Sequence, residues 1–266
     1  MTVICLASAK GSPGVTTASL AFALTWSRLV VLAECDPAGG DIAAGYLRHL
    51  ELDGSRGLMQ LVVAELRGQA SEQFWSQLVD LDPPGAQRLL LPGIATPAQA
   101  ASLDPNWFGL AGFFRSLEHH DPGFDVLVDC GRLVAPHAPW PLLSRADLVL
   151  LVVKPTLSSL LPARAAVQTL LAGNSPGNDG QIGLVVVGGG DYDDGAVSRH
   201  LGVPVIAHLP QDNRSARVLA HGGTVRTRRP MLRAAAAAEG KVARAVTARR
   251  HRLRGPGIQG AIHVDV

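Results

Sequence analysis

The sequence has few of the residues that build disulfide or metal-centred folds. Its 266 residues include three cysteines, Cys5, Cys35 and Cys130, with no CxxC pair and no cysteine–histidine cluster. Three scattered cysteines are too few for a disulfide framework, and the missing cluster argues against a structural zinc site. Each cysteine lies within or at the end of an apolar run, which predicts buried thiols in a reducing cytoplasm.

Long apolar runs are also missing. No stretch reaches the ~18 apolar residues of a membrane-spanning helix, and the first residues lack the basic region of a signal peptide. Apolar residues nevertheless make up 47% of the chain and charged residues 17%, a composition that supports a sizeable core. The sequence therefore predicts a cytoplasmic protein without a transmembrane segment.

Lysine is scarce, and the basic residues are unevenly distributed. Three of the 24 basic side chains are lysines, Lys10, Lys154 and Lys241. Residues 226–254 hold nine arginines and one lysine against a single acid, Glu239. This asymmetry is typical of contact with DNA or an acidic protein, whereas the alternative is a terminal helix with a solvated arginine face. Because large apolar side chains are few there, peripheral membrane contact is not expected.

Short apolar runs alternate with helix-length segments along the chain. The predicted strands are 2–9, 29–35, 87–91, 124–130, 147–153, 182–187 and 203–208. The predicted helices are 16–28, 58–66, 105–119, 157–171 and 230–252. Because the strands are continuously apolar rather than alternating, they predict an α/β fold, a mostly parallel doubly wound sheet with helices on both faces. We expect one domain over 1–225, a helical segment over 226–254 and a loose tail over 255–266.

The loop after the first predicted strand reads KGSPGVTT over residues 10–17. A glycine-rich loop between a strand and a helix turns backbone N–H groups toward the positive end of the helix dipole, where phosphates bind. Threonine hydroxyls at the helix start can hold Mg²⁺ and a phosphate oxygen. The alternative is a helix N-terminus that binds no ligand.

Two further predicted strands end in acidic residues. The second strand ends in Glu34 and Asp36, and a carboxylate there can polarise a water or hold Mg²⁺ through its water shell. We expect Asp41, a few residues later, to cap a following helix. Asp129 ends the strand at 124–130. Since ligands bind beyond the carboxyl ends of parallel strands, these acids are expected near the glycine-rich loop.

These three elements, in this order, resemble the ParA/MinD family of P-loop ATPases, whose deviant Walker A motif is KGGxGK[ST][ST]. The matching residues are Lys10, Gly11, Gly14, Thr16 and Thr17. The usual P-loop lysine, which offsets charge on the β- and γ-phosphates, is replaced by Val15. The resemblance implies a P-loop NTPase-type fold over residues 2–222.

The resemblance also implies ATP and Mg²⁺ as cofactors, and a homodimer formed through the nucleotide face. In that family the signature lysine, here Lys10, reaches the partner's phosphates, and the acid at Asp36 positions the attacking water. Asp129 matches the Walker B aspartate, which holds Mg²⁺ together with Thr16. The residues expected to contact the nucleotide are Gly11, Ser12, Gly14, Val15, Thr16, Thr17, Pro210 and Asp212.

The base end departs further from the family. The strand that usually ends in a base-recognising asparagine has Gly188 or Gly189 at that position, while Pro210 and Asp212 fall in the loop that packs on adenine. We expect Lys154 to be solvated or to cap a helix. Arg132, directly after the switch II glycine, is expected at the surface unless it supplies charge near the γ-phosphate.

The implied function is a switch that dimerises with ATP and positions a cargo. The candidate processes are chromosome or plasmid partitioning, division-site selection, and pilus, flagellar or secretion assembly. Because Val15 replaces the lysine, we expect hydrolysis to be slow or absent. The alternative is a non-hydrolysing scaffold that recruits a partner through its basic segment. A metabolic P-loop enzyme fits less well, since no inserted substrate domain is evident.

Overall fold

The computed structural model describes residues 2–11, 13–50, 54–119, 122–173 and 181–254. Within these ranges the chain forms one eight-stranded sheet with helices on both faces. The strands are β1 (Val3–Ser8), β2 (Val30–Glu34), β3 (Val79–Asp80), β4 (Arg88–Leu91), β5 (Asp125–Arg132), β6 (Leu148–Val153), β7 (Ile182–Val187) and β8 (Val205–Leu209).

The strand order is β3-β4-β2-β5-β1-β6-β7-β8. Neighbouring strands run parallel except at one edge, where β3 is antiparallel to β4. The predicted α/β class and the mostly parallel doubly wound sheet are thus confirmed. The sequence did not predict β3, because two residues are too short to show an apolar run.

Ten α-helices are assigned in the described ranges. They are α1 (Val15–Thr25), α2 (Leu58–Leu66), α3 (Ala70–Gln73), α4 (Ala100–Leu103), α5 (Trp107–Ser116), α6 (Trp140–Arg145), α7 (Leu157–Ala172), α8 (Asp194–Leu201), α9 (Asn213–His221) and α10 (Pro230–Arg254). The single helix predicted over 105–119 is shorter, since 3₁₀ turns flank α5 on both sides. Helices α3, α4, α6, α8 and α9 were not predicted.

Alternate residues of the central strands pack into two different apolar cores. Ile4 and Leu6 of β1 face the core formed with α1, α9 and α10. Cys5 and Ala7 face the opposite core, formed with α2, α5, α6 and α7. Both faces of the sheet are therefore covered, which explains why the strand sequences are apolar without alternation. All three cysteines are buried free thiols, as predicted.

Helix α10 packs against α1 and β8. Its inward side chains recur every three or four residues, as expected for a helix with one buried face. They are Met231, Leu232, Ala235, Ala238, Val242, Val246 and Arg249. No helix in the described ranges is both long and apolar enough to cross a bilayer. The tail predicted over 255–266 lies outside the described residues.

Two arginines attach the end of α10 to the start of β6. Arg249 is 5% exposed, and its guanidinium donates to the carbonyl oxygens of Ala146 and Asp147 at 2.8 and 3.0 Å. Arg250 donates twice to the Asp147 carboxylate, each at 3.0 Å. The same carboxylate accepts from the backbone N–H of Val3 at 2.9 Å. These two arginines of the basic segment therefore bond to other parts of the same chain.

We expect Arg249→Ala to lower the free energy of unfolding by about 2–3 kcal/mol, because it removes the buried guanidinium that donates to the Ala146 and Asp147 carbonyls and opens a cavity. The exposed Arg233→Ala on the same helix is the matched control and should change it by less than about 0.5 kcal/mol. Urea denaturation followed by circular dichroism measures both. Equal effects of the two substitutions would contradict the anchoring role.

Candidate functional site

The glycine-rich loop connects β1 to α1 and leaves the start of that helix open. Gly11 and Gly14 have φ angles of +76° and +100°, a left-handed conformation that favours glycine. Gly14 is the N-cap of α1 and has no side chain to cap it. Within the described residues, the first amide groups of α1 thus have no side-chain acceptor from the N-cap position. The predicted Ser12 lies outside the described residues.

A polar cavity of about 260 Å³ lies over this loop. It is lined by Ser8, Gly11, Pro13, Gly14, Val15, Thr16, Thr17, Asp36, Ala38, Gly39, Asp41, Gly131 and Arg132. Ser8 is 1% exposed, and within the described part of the chain its hydroxyl has no hydrogen-bond partner. A buried, unpartnered hydroxyl beside open helix amides is an arrangement that fits a bound anion such as phosphate.

Of the two predicted magnesium ligands, Thr16 lines this cavity, whereas Asp129 is buried and is not among the described lining residues. Asp129 is in register with Glu34 on β2 and Leu6 on β1. Its carboxylate accepts from the Thr16 hydroxyl and from the Gly131 amide at 3.0 Å. Burial raises the pKa of Asp129 to about 6, although both hydrogen bonds lower it. No cluster of three or more metal-binding side chains occurs in the described ranges, so Mg²⁺ here would need phosphate oxygens and water as further ligands.

Asp36 and Gly131 are in contact in the wall of the cavity. Asp36 is partly exposed and accepts from the Ala38 amide at 2.8 Å. Burial raises the pKa of Asp36, while the Ala38 amide and nearby Arg132 lower it. A Cβ at position 131, where φ is +61°, would overlap the Asp36 carboxyl group. Glycine is thus required at 131 on steric as well as conformational grounds.

Glu34, the last residue of β2, has a structural role. It is 2% exposed and accepts from the amides of Asp41, Ile42 and Gly93 at 2.9, 2.9 and 3.2 Å. Burial raises the pKa of Glu34 to about 7, with a smaller contribution from Asp129. These bonds hold the loop after β2 against the loop after β4.

The expectation that Asp41 caps a helix is wrong. Residues 42–49 form turns, and the next helix is α2, which begins at Leu58. Asp41 is instead exposed and lines the polar cavity. Because Glu34 binds the backbone N–H groups at 41 and 42, those amides are already satisfied without a capping side chain.

A second cavity, of about 300 Å³, adjoins the first. The two share Pro13, Gly14 and Thr17. The other lining residues are Ala18, Lys154, Val187, Gly188, Gly189, Leu209, Gln211, Asp212, Asn213, Ala216 and Met231. Lys154 was expected in solvent or at a helix cap, and it is exposed but borders the cleft. The strand order explains this, because β6 lies directly beside β1.

The residues predicted for the base end differ in their surroundings. Asp212 caps α9 through the Ser215 amide, and its carboxylate also accepts from Arg229, with an N–O distance of 2.6 Å. Arg229 holds the pKa of Asp212 well below its usual range. Pro210 lies in the same loop but is not among the described lining residues. Asp212 therefore reaches the cavity with its carboxylate already paired.

Lys10 and Val15, at the two ends of the glycine-rich loop, differ in their exposure to solvent. Lys10 is exposed, and no ion pair or hydrogen bond of its ammonium group occurs among the described residues. Val15 is 6% exposed and packs into the core beneath α1, with one side on the polar cavity. The position thus brings no positive charge to the cavity, whereas Arg132 lies in its wall.

Several solved structures have a fold similar to that of this chain. A ParA family ATPase from Chlorobium tepidum matches with a TM-score of 0.69 and 16% identity, over 89% of this chain and 96% of that chain. The septum site-determining protein MinD of Pyrococcus horikoshii, complexed with Mg-ADP, matches with a TM-score of 0.68 and 19% identity, over 93% of this chain and 98% of that chain. A Cyanothece McdA variant in complex with ATP matches with a TM-score of 0.62 and 13% identity, over 98% of this chain and 99% of that chain.

The sheet order and the loop after β1 define a P-loop NTPase-type architecture. Within that class the chain has the fold of the ParA/MinD ATPases. It matches no protein-family model and no curated protein sequence. Identities of 13–19% support the shared fold and leave the activity to be argued from the site.

Burial of Asp129 predicts a pH-dependent stability. Its pKa is raised in the folded protein, so the folded state keeps a proton that the unfolded state loses, and stability falls as the pH rises from about 4 to about 7. Asp129→Asn removes the buried charge, and we expect it to raise the free energy of unfolding at pH 8 by about 2 kcal/mol.

The exposed Asp191→Asn is the control for this prediction. It should leave the pH dependence of stability as it is in the unmodified chain. Denaturant unfolding measured between pH 5 and pH 8 compares the three proteins. An Asp129→Asn protein with the same pH dependence as the parent would show that Asp129 is ionised at no cost.

Proposed function

We propose that this protein is a nucleotide-binding switch of the ParA/MinD type, which binds ATP with Mg²⁺, dimerises and positions a cargo. The observation that carries the proposal is the two-part cleft over the glycine-rich loop. Its polar part is lined by the start of α1, by Ser8, whose hydroxyl has no partner among the described residues, and by Thr16, which is hydrogen-bonded to the buried Asp129. Its less polar part continues past Thr17 toward β7 and β8.

Each part of the cleft has its own role in this proposal. The amides at the start of α1 and the Ser8 hydroxyl would hold phosphate oxygens. Thr16 and Asp129 would hold Mg²⁺, which supplies positive charge to the phosphates when bound. The base would lie over Pro13 and Gly14, between the ends of β6, β7 and β8. The fold relatives in complex with Mg-ADP and with ATP support this assignment.

Hydrolysis is proposed to be slow or absent. The P-loop lysine that offsets β/γ-phosphate charge is replaced by Val15, which is buried and neutral. Arg132 lines the same cavity and is the nearest candidate for that charge. Asp36, at the cavity wall, would position the attacking water. A switch whose nucleotide is hydrolysed slowly would stay dimeric for longer, which suits a scaffold as well as a cycling ATPase.

The cargo and the partner are proposed only as classes of molecule. The relative whose name is septum site-determining protein supports a positioning role. The exposed cations of the basic segment are the residues that DNA or an acidic protein would contact. They include Arg226, Arg228, Arg233, Lys241 and Arg244. Arg229, Arg249 and Arg250 are engaged within the fold.

Calorimetric titration with Mg-ADP and Mg-ATP tests nucleotide binding directly. We expect binding by the unmodified protein, and at least tenfold weaker binding by Thr16→Ala, because the hydroxyl beside Asp129 is lost. Thr25→Ala is the matched control on the same helix, since its hydroxyl bonds only to helix carbonyls away from the cleft. Absence of heat and of thermal stabilisation at millimolar nucleotide would disprove the proposed function.

Lys10 provides a test of the dimer. If its exposed ammonium group reaches the partner's phosphates, Lys10→Ala should abolish the increase in mass that Mg-ATP causes, while binding within one chain persists. Lys241→Ala, on the outer face of α10, should dimerise normally. Light scattering after size exclusion measures the mass. A Lys10→Ala protein that still dimerises with ATP would contradict the role in trans.

A further inference from the structure

A cavity of about 480 Å³ lies at the carboxyl ends of β2 and β4. It is separate from the two-part cleft over the glycine-rich loop, since no described lining residue belongs to both. In an open α/β sheet, ligands bind in the crevice beyond the carboxyl ends of the strands. The volume also falls within the range of about 300–1,000 Å³ that is typical of small-molecule sites. The position and the size are therefore those of a second ligand site.

Two arginines line this second cavity. Arg48 lies in the turns after β2, and Arg56 lies shortly before α2. Both residues are exposed, and within the described ranges neither guanidinium forms an ion pair or a hydrogen bond. A guanidinium stays charged at physiological pH and carries five N–H donors. The cavity therefore has two positive groups that an anion can reach.

Glu34 is the one acid among the described lining residues, and it does not neutralise these arginines. Its two oxygens accept hydrogen bonds from three backbone N–H groups, those of Asp41, Ile42 and Gly93. Burial raises the pKa of Glu34 to about 7, so the carboxyl group carries only part of a negative charge at neutral pH. The described wall of the cavity is therefore positive overall.

Backbone contacts fix the walls of the cavity. The Gly40 N–H donates to the Ile94 carbonyl oxygen at 2.8 Å. A Cβ at position 40 would lie 3.0 Å from Gly93 Cα, so the loops after β2 and β4 are closely packed there. In the same wall, the N–H groups of Ala43 and Ala44 have no acceptor among the described residues. These two amides add further donors for an anion.

We propose that this cavity binds a small aliphatic dicarboxylate. The two arginines belong to different segments of the chain, and each guanidinium has paired N–H groups that match one carboxylate. Leu50, Val79 and Ile94 give the same cavity an apolar surface, which fits a hydrocarbon chain. A molecule with a carboxylate at each end and methylene groups between them meets both requirements.

Inorganic phosphate is the competing anion, because guanidinium groups bind phosphate as well as carboxylate. Phosphate would pair with the arginines but would leave the apolar wall of Leu50 and Val79 in contact with water. A dicarboxylate pairs with the arginines and also removes that apolar surface from water, which is favourable. The lining of the cavity thus favours an anion with a hydrocarbon body.

The test is calorimetric titration of the full chain with succinate, glutarate, adipate and pimelate, which differ in the number of methylene groups. We expect at least one of them to bind with a dissociation constant of about 1 mM or lower. The diamide of the tightest-binding acid, which has the same shape without the charges, should not bind. The titrations contain no nucleotide, so their result does not depend on the proposed nucleotide function.

Substitution of the two arginines locates the binding site. Arg48→Gln and Arg56→Gln should each weaken binding of the dicarboxylate at least about tenfold, because each removes a charge-assisted pair of hydrogen bonds. Both residues are exposed, so circular dichroism should show that the variants are folded. Arg67→Gln, at an exposed arginine that ends α2, is the matched control and should leave the dissociation constant unchanged.

Four results would overturn the inference. The first is the absence of heat with all four dicarboxylates at tens of millimolar. The second is equal binding by the unmodified protein and by both arginine variants. The third is binding that Arg132→Gln abolishes and the other two variants do not, which would place the ligand in the polar cavity. The fourth is binding of inorganic phosphate alone, which would assign the arginines to a different anion. Each of these results leaves the proposed nucleotide function as it is.

Discussion

The pairing of β5 with β1 on one side and β2 on the other is the constraint on which the site depends. It brings Asp129 level with Glu34, and it places the end of β1 beside Gly131. The ladder continues past the strands, because the amides of Leu133 and Val134 donate to the carbonyls of Ser8 and Ala9. The segment that follows Asp129 thus holds the start of the glycine-rich loop in place. A displacement of either segment would break these hydrogen bonds or move the other segment with it.

The burial of two acids at the site lowers the free energy of unfolding when these acids are ionised. Glu34 and Asp129 are almost fully buried, and burial raises the pKa of Glu34 to about 7 and the pKa of Asp129 to about 6. Glu34 is stabilised by three backbone N–H groups, and these bonds shape the loops around the cavity. Asp129 has fewer donors, which is the condition expected of a group that is completed by a ligand.

The number of basic residues in the segment 226–254 is larger than the number that a binding partner could contact. Arg249 is buried against carbonyl groups, Arg250 bonds to Asp147, and Arg229 bonds to Asp212. These three arginines link α10 and its approach to β6 and α9. They therefore contribute to the position of the helix rather than to a free electrostatic field. The remaining exposed cations define a smaller surface than the composition suggests.

The sequence by itself determined the class of fold and the glycine-rich loop. Both are local: continuous apolar runs predict buried parallel strands, and the spacing of Gly11 and Gly14 with two threonines predicts a strand-to-helix turn. The burial of the cysteines followed from the same runs. The family resemblance implied that Asp129 and Thr16 hold Mg²⁺ together; in the fold the two side chains are hydrogen-bonded to each other, and Mg²⁺ binding stays a prediction.

The tertiary structure alone decided what the remaining polar residues do. Asp41 borders the cavity instead of capping a helix, and Lys154 reaches the cleft because β6 lies beside β1. Asp212 is paired with Arg229, and the exposed Gln211 lies near Gly188. The physical reason is the same in each case. These contacts join residues that lie far apart in the chain or on separate loops, so they follow from strand order and loop path, which local sequence patterns do not encode.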